Sequence, residues 1–525
     1  MVSNQASTPA VFSRSPRSSG ATNKVILGIT VGLLLFSLGC GSTGAVIPIT
    51  GNFSNSSLKG NYQYQLSGIG LDANGNNNYY AEAGVFVADG NGNITSGKDD
   101  FNQLNSGSPA VSNPLTGTYT IGADGNGFIT FNLPGSQGSF QVAVTMISTA
   151  QLYLTEADIF ANASGIANLQ DTTKLTSAPS GTFVVGVHTV STTGLVGGVG
   201  SLATVGTLRF NAPSVTGVLD LLRNSVLSPV TLTAGNVTAP DATGRGTLST
   251  TDSLGFSNNY LYYVIDGSTL ALLQTDANLL ALGRGEMQGA APFSISGSYA
   301  FGSSGDTSTQ VGFARSVGAF TVSGGSVSGG AYDSAQDLAS ISNQSISSGQ
   351  VTGPDSHGRA TVVLIPSGGN PITDVFWMVN SSRAFFLVDD PNKVEDGTAD
   401  LQTSSSFANA DLKGQYALVN DGFTTVTSPN SFLTRVGTFI PDGTSALSLN
   451  EWVNSYTGST LTSVSQQVQI TGGTYTVGSN GRAVAALPQL SNNLILYLVS
   501  PSQAYVLQND TGVEISGKVA LQVSP

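Results

Sequence analysis

The sequence predicts an all-β protein of four tandem antiparallel domains, each of about 115 residues, behind an N-terminal signal helix. Three observations carry that reading: an internal repeat, a period-2 alternation of apolar residues within it, and turn chemistry between the alternating runs. The repeat is the strongest of the three. Its opening, Gly60–Tyr62, recurs as Gly181–Phe183, Gly297–Tyr299 and Gly414–Tyr416, at spacings of 121, 116 and 117 residues. Each copy then shows the same landmarks in one order. A Gly-x-Phe/Leu strand comes first (Gly84–Phe86, Gly206–Leu208, Gly318–Phe320, Gly437–Phe439), then a glycine-centred turn (Gly127, Gly244, Gly358, Gly481). An apolar hairpin runs into an acid (Asp158, Asp276, Asp390, Asp510), and a glutamine closes the unit (Gln170, Gln288, Gln402, Gln522). A period near 117 is far above the roughly 20–50 residues of stacking repeats, so each copy is expected to be a domain of its own.

Taken from the N-terminus, the first element is a leader. Residues 1–24 carry Arg14, Arg17 and Lys24 and no acid, and Val25–Gly39 is an apolar run of 15 residues, short for a membrane span. It ends at Cys40, the one cysteine of the chain. This stretch resembles the lipobox leader of bacterial lipoproteins, although Ser37 stands where that family usually has leucine. The resemblance covers about forty residues and implies cleavage between Gly39 and Cys40, lipidation of Cys40, and a membrane as partner through the lipid. Gly41, in place of an aspartate, implies an outer-membrane-anchored lipoprotein. The expected organisation is a signal peptide over 1–40, a flexible tether over 41–57, and β repeats over 58–172, 179–289, 293–403 and 410–525.

Composition narrows the function classes. Only 9% of residues are charged, and 18 cations stand against 31 acids. Three of those cations lie in the leader, so the remainder is strongly acidic and repels nucleic acid. With Cys40 assigned to lipid, no thiol remains for disulfides, thiolate metal sites or a cysteine nucleophile, and each domain must hold itself by core burial.

Within the first copy, Tyr62, Tyr64 and Leu66 alternate with Gln63 and Gln65; Ile129, Phe131 and Leu133 alternate with Thr130 and Asn132. Asp89–Gly92 and Asp124–Gly127 supply positive-φ turns between strands. About eight strands of 6–9 residues result, and they close as a small meander barrel or a two-sheet β-sandwich, with the opening and closing strands paired. In size and meander the units are similar to lipocalin-like and avidin-like barrels. Ala335–Ile341 comes nearest to a helical stretch.

Candidate chemistry is sparse. Asp89, Asn91 and Asn93 space three oxygen ligands like half a calcium loop, but position six is Ile94 and a hairpin turn explains them equally. After the second marked strand an acid recurs (Asp100, Asp220, Asp333, Glu451), with Asn102, Asn224, Asp337 and Asn454 beyond it. An acid and an amide could grip a sugar hydroxyl or cap a strand end. Arg245, Arg359 and Arg482 follow the turn glycine in three copies and could bind an anion on a rim or pair with those acids. Trp377 reads as core and Trp452 as a sugar platform or a rim plug. His188 and His357 fall at unrelated positions, so no catalytic residue and no cofactor is assigned. The expected function is a lipid-anchored, exported, non-enzymatic envelope protein whose four domains form an extended rod for adhesion or binding, with a cell-surface glycan or protein as partner. The alternative is a carrier holding small apolar or carbohydrate ligands inside its barrels. A carbohydrate-active hydrolase and a whole-chain transmembrane barrel stand further back.

Overall fold

The computed structural model describes residues 51–525 apart from 72–76, 105–108, 136–137, 159–160, 192–199, 308–312, 338, 425–430, 458–461, 489–491 and 509. The leader, with Gly39 and Cys40, lies outside the described residues. The rest is all-β: four closed antiparallel barrels of eight strands in tandem, with barrel, not sandwich, as the architecture. Their strands run over residues 59–169, 180–287, 297–401 and 416–521. In barrel 1 the fourth strand is split into Ala110–Pro114 and Thr116–Ile121, which gives that sheet nine segments. No helix among the described residues is long and apolar enough to cross a membrane.

Each barrel is a meander whose eighth strand returns to its first. Tyr62 lies opposite Leu169, Phe183 opposite Met287, Tyr299 opposite Leu401 and Tyr416 opposite Leu521. The closing glutamine extends that pairing by one bond, Gln170 N–H to Asn61 C=O at 2.7 Å and Gln402 N–H to Ser298 C=O at 2.7 Å. Strands reach 13 residues in Lys59–Leu71 and 16 in Thr462–Val477, longer than expected, because internal glycines such as Gly68 continue a strand instead of ending it. The stretch expected to come nearest to a helix, Ala335–Ile341, spans the hairpin between Ser326–Gln336 and Ala339–Thr352. Asp337 takes φ 50 there, a left-handed turn that aspartate tolerates. Residues 51–57 belong to barrel 1 and not to a tether. Phe53 is buried in its core, and the Asn55 side-chain oxygen accepts the Ile121 N–H at 2.8 Å.

Burial explains the two kinds of strand. Thr116–Ile121 and Arg359–Pro366 alternate cleanly between buried and exposed, because one face lines a barrel and the other meets water. Gln151–Glu156 and Arg383–Val388 are buried on nearly every residue, because their outer faces lie against a neighbouring barrel. Hydrophobic side chains accordingly gather into four barrel interiors and four seams. The seams join barrel 1 to 2, 2 to 3, 3 to 4, and 4 back to 1. The four domains therefore form a closed ring, and the extended rod expected from the tandem repeats is corrected: barrel 4 has barrel 1 to cover its outer face.

Two of the repeated landmarks explain each other across these seams. The side-chain amide of each closing glutamine donates to the glycine-centred turn of the next barrel and to the strand beside it. Gln170 reaches Thr243 O and Val264 O, Gln288 reaches His357 O and Met378 O, and Gln402 reaches Asn480 O and Leu498 O. Gln522 closes the ring on Asp124 O (3.1 Å) and Met146 O (2.6 Å) of barrel 1. The amide sits against Gly244, Gly358, Gly481 and Gly125, all near φ +82 to +84, where a Cβ would lie 2.6–3.1 Å from the glutamine nitrogen. Gly125, not Gly127, is thus the turn glycine of barrel 1. Replacing Gln522 by alanine removes two hydrogen bonds from the closing seam. It should lower unfolding stability by about 1–3 kcal/mol, read from urea denaturation against the wild-type chain.

Candidate functional site

The recurrent acids and arginines meet, but between copies. Asp100 is fully buried under Arg245 of barrel 2, whose Nε and Nη2 donate to it at 2.7 and 2.9 Å, and the Tyr263 hydroxyl donates to the same carboxylate. Asp220 is held in the same way by Arg359 (2.6 and 3.0 Å) and by the Trp377 indole N–H (2.8 Å) of barrel 3. Asp333 is held by Arg482 (2.7 and 2.7 Å) and the Tyr497 hydroxyl (2.8 Å) of barrel 4. Trp377 is buried as expected, in a seam and not in a barrel interior. Burial, then the adjacent carboxylate, pushes the Tyr263 and Tyr497 phenols well up. Each bidentate fork occupies the acid's oxygens, and the pairs lie in seams and not on open rims.

The closing seam departs from this pattern. By strand register, Asp100, Asp220 and Asp333 sit opposite Ala83, Val205 and Val317; the residue in that place in barrel 4, opposite Val436, is Trp452. Glu451 lies one residue away on the other face of the pleat and points into barrel 4, where burial pushes its carboxyl up and Arg435, 4.0 Å away, opposes this. Asn126 follows the turn glycine where the other barrels have arginine, and its Oδ1 accepts from Thr145 at 2.6 Å. Phe128 meets Trp452 edge-on at 4.7 Å. Three seams carry an aspartate–arginine fork at this place and the fourth an aromatic contact, in which Trp452 is half-buried.

The remaining candidates have local roles. Asn102 donates across the first seam to Gln274 O (2.8 Å) and Leu279 O (3.0 Å), and Asn454 across the closing seam to Ala161 O (3.1 Å). Asn224 takes φ 50 in the turn after strand Ser214–Arg223. Asp89 accepts from the N–H groups of Asn91 (2.6 Å) and Asn93 (3.0 Å) and from the Asn93 amide (2.8 Å), and these bonds lower its pKa to about 2. The half calcium loop is an Asx turn whose carboxylate is already engaged.

Where the four barrels face one another, a polar cavity of about 410 Å³ is lined from all of them, by Gln65, His188, Ser303, Arg383, Asp421 and Lys518 among others. Burial and the charge of Arg383 lower Lys518 to about 8. His188 bridges barrels 2 and 3, its Nδ1 2.6 Å from Asp396 and its Nε2 3.4 Å from Asp306, which also accepts from Ser201. Burial works against the imidazolium, but the two carboxylates outweigh it and raise His188 to about 10.

A second cavity lies inside barrel 2, with a volume of about 370 Å³ and a mainly apolar lining. Barrel 1 shows why it exists. There Tyr64, Phe86, Phe131 and Phe140 form one aromatic cluster, with Tyr64–Phe131 at 5.2 Å and Phe131–Phe140 at 5.0 Å. The same positions in barrel 2, counted from the opening glycine, the second marked glycine and the turn glycine and then across the strand pair, are Val185, Leu208, Thr250 and Asn258. All four line the cavity. Barrel 3 keeps Phe301 and Phe320 at the first two positions. The far end of barrel 2 is plugged by Phe183, Phe210 and Leu175. The cavity runs instead toward the strand-joining turns at 224–225, 253–256 and 275–278, where Val226, Leu254 and Phe256 are exposed apolar residues (62%, 54% and 38%). This pocket escaped the sequence reading, although the four aromatic-to-smaller changes stand in the repeat alignment.

No protein-family profile matches the chain, and no curated protein matches it in sequence. Among solved structures it is similar to the crystal structure of the isotype 1 transferrin binding protein B from serogroup B Neisseria meningitidis. The identity is 10%, the match covers 72% of this chain and 83% of that one, and the TM-score is 0.17. At that score the two do not superpose as wholes, and nothing is carried from one to the other.

Two expectations follow. Arg359→Met leaves Asp220 buried without its charge partner and should cost about 3–5 kcal/mol in urea denaturation, while Arg359→Met with Asp220→Leu should cost less than the single change. For His188, a raised folded-state pKa means stability that is complete below the unfolded value of 6.5 and lost as pH rises through about 10. The thermal midpoint should therefore fall between pH 6.5 and 10, and His188→Gln should flatten that part of the curve.

Proposed function

We propose that this chain is an exported, lipid-anchored, non-enzymatic binding protein of the cell envelope, in which barrel 2 takes a small ligand and the other three barrels of the ring support it. The observation that carries the reading is the apolar cavity in barrel 2, in the size range of small-molecule sites, where barrel 1 has an aromatic cluster. Lipidation of Cys40 after cleavage at Gly39, anchorage in an outer membrane and a tether ending before residue 51 complete the proposal. The recurrent acids and arginines serve in it as seams between barrels, which leaves barrel 2's own inward residues to meet the ligand. Adhesion through the outer surface of the ring, to a cell-surface glycan or protein, is the competing assignment.

Native mass spectrometry of the chain expressed with its leader and extracted in mild detergent tests both parts at once. A covalent acyl mass on Cys40 that survives activation is expected. So is a second, smaller mass that leaves on activation and is absent from Leu248→Trp, a variant that fills the cavity. A lipidated chain with no dissociable mass would favour adhesion over carriage, and an unmodified Cys40 would remove the anchor.

A further inference from the structure

We infer that the ligand of barrel 2 is an amphiphile with an apolar body and an anionic head, and that Arg223 is the residue that receives the head. This rests on the binding role proposed for barrel 2. The inward faces of its strands change character along the cavity. Leu219 and Leu221 are followed on the same face by Arg223, and Leu248 is followed by Thr250 and Asp252. A ligand entering from the turns therefore meets aliphatic side chains at depth and polar ones only near the mouth.

At that mouth the charged groups differ in what they have left to offer. Asp252 Oδ1 accepts the N–H groups of Leu254 (2.9 Å) and Phe256 (3.0 Å) and so builds the turn. Asp276 accepts the Asn259 N–H (2.9 Å), the Asn259 amide (2.7 Å) and the Gln274 amide (3.1 Å). Arg223 lines the same cavity, and among the described residues no carboxylate lies within 4.0 Å of it. Its guanidinium rests over the Phe256 ring, 4.5 Å from the centroid. This cation–π contact seats the guanidinium at the mouth, and among the described residues it has no carboxylate partner, which leaves its N–H groups to donate to an oxyanion in a bidentate fork. The other arginines singled out from the sequence, Arg245, Arg359 and Arg482, are each engaged with a buried aspartate, so Arg223 stands apart from them in having its donors available. A single-chain or aromatic carboxylate, with its apolar part among Val185, Leu219 and Leu248, matches this arrangement.

The experiment titrates the full mature chain with a dansyl-labelled eleven-carbon fatty acid and with the primary amide of the same acid, following dansyl fluorescence. The acid is expected to bind roughly tenfold or more tightly than the amide, the worth of one charge-assisted hydrogen bond. Arg223→Gln should bring the acid to the affinity of the amide and leave the amide unchanged, and Leu248→Trp should weaken both. Equal binding of acid and amide to the wild type, or an amide preference, would overturn the anionic head while the cavity reading stands. Failure of both probes to bind wild type, with Leu248→Trp indistinguishable from it, would overturn the cavity reading itself.

Discussion

The structure depends on one constraint: these barrels bury part of their outer faces as well as their interiors. An isolated eight-stranded barrel satisfies its apolar residues inside and gives its polar ones to water. Here strands such as Arg383–Val388 have no face left for solvent, so every polar group on the outer side must find a partner on the next barrel. The buried aspartates with their arginine forks, the closing glutamines on the turn carbonyls and the Asn102 and Asn454 amides are answers to that one requirement. Close approach follows from it too. Tyr505 of barrel 4 lies so near Gly302 of barrel 3 that a Cβ there would come within 2.4 Å of its ring, and Phe385 covers Gly186 in the preceding seam.

Besides the outer surface of the ring, the seams leave two spaces that could serve recognition. One is the polar cavity between the barrels, where Arg383 is committed to Glu286 and Asp400 and where His188 is committed to two carboxylates. The other is the interior of barrel 2, which has smaller residues at the four positions of barrel 1's aromatic cluster. Duplication supplies the scaffold four times over, and the inward residues vary between copies: the second position is Phe86, Phe320 and Phe439 in barrels 1, 3 and 4 but Leu208 in barrel 2. The closing glutamines and turn glycines repeated in every copy hold the ring, and the inward residues that vary between copies shape the site.

The all-β class and the pairing of first and last strands were legible in the sequence, because Gly60–Tyr62 and Gln170 mark both ends of the meander in every copy. The acids and arginines were legible as a recurring set. Their pairing between copies was not, because an alignment places Asp220 and Arg245 in one repeat as naturally as Asp220 and Arg359 in two. Glu451 illustrates a second limit. In the sequence it aligns with the aspartates, but a shift of one residue on a pleated strand exchanges the seam for the barrel interior, and Trp452 holds the place. Closure of the ring was invisible for a simpler reason: the bond from Gln522 to residues 124 and 146 spans most of the chain, and no local pattern encodes it. The cavity is written in Val185, Leu208, Thr250 and Asn258, yet it becomes a cavity only because those four project to one place.

Closure also changes what the order of the repeats means. Phe53 bonds to Ala123 O while Gln522 bonds to Asp124 O, so residues near 51 and near 522 meet at one turn of barrel 1. Around such a loop no repeat is first. The geometry records a cyclic sequence of neighbours, with the Phe128–Trp452 seam and the cavity of barrel 2 among its phase marks. A gene that opened the loop at the 172–178 connection and joined residue 522 to residue 51 through a short linker would encode the same contacts in a different linear order. In topological terms, such a permutation would change the position of barrel 2 along the chain and leave its neighbours on either side the same.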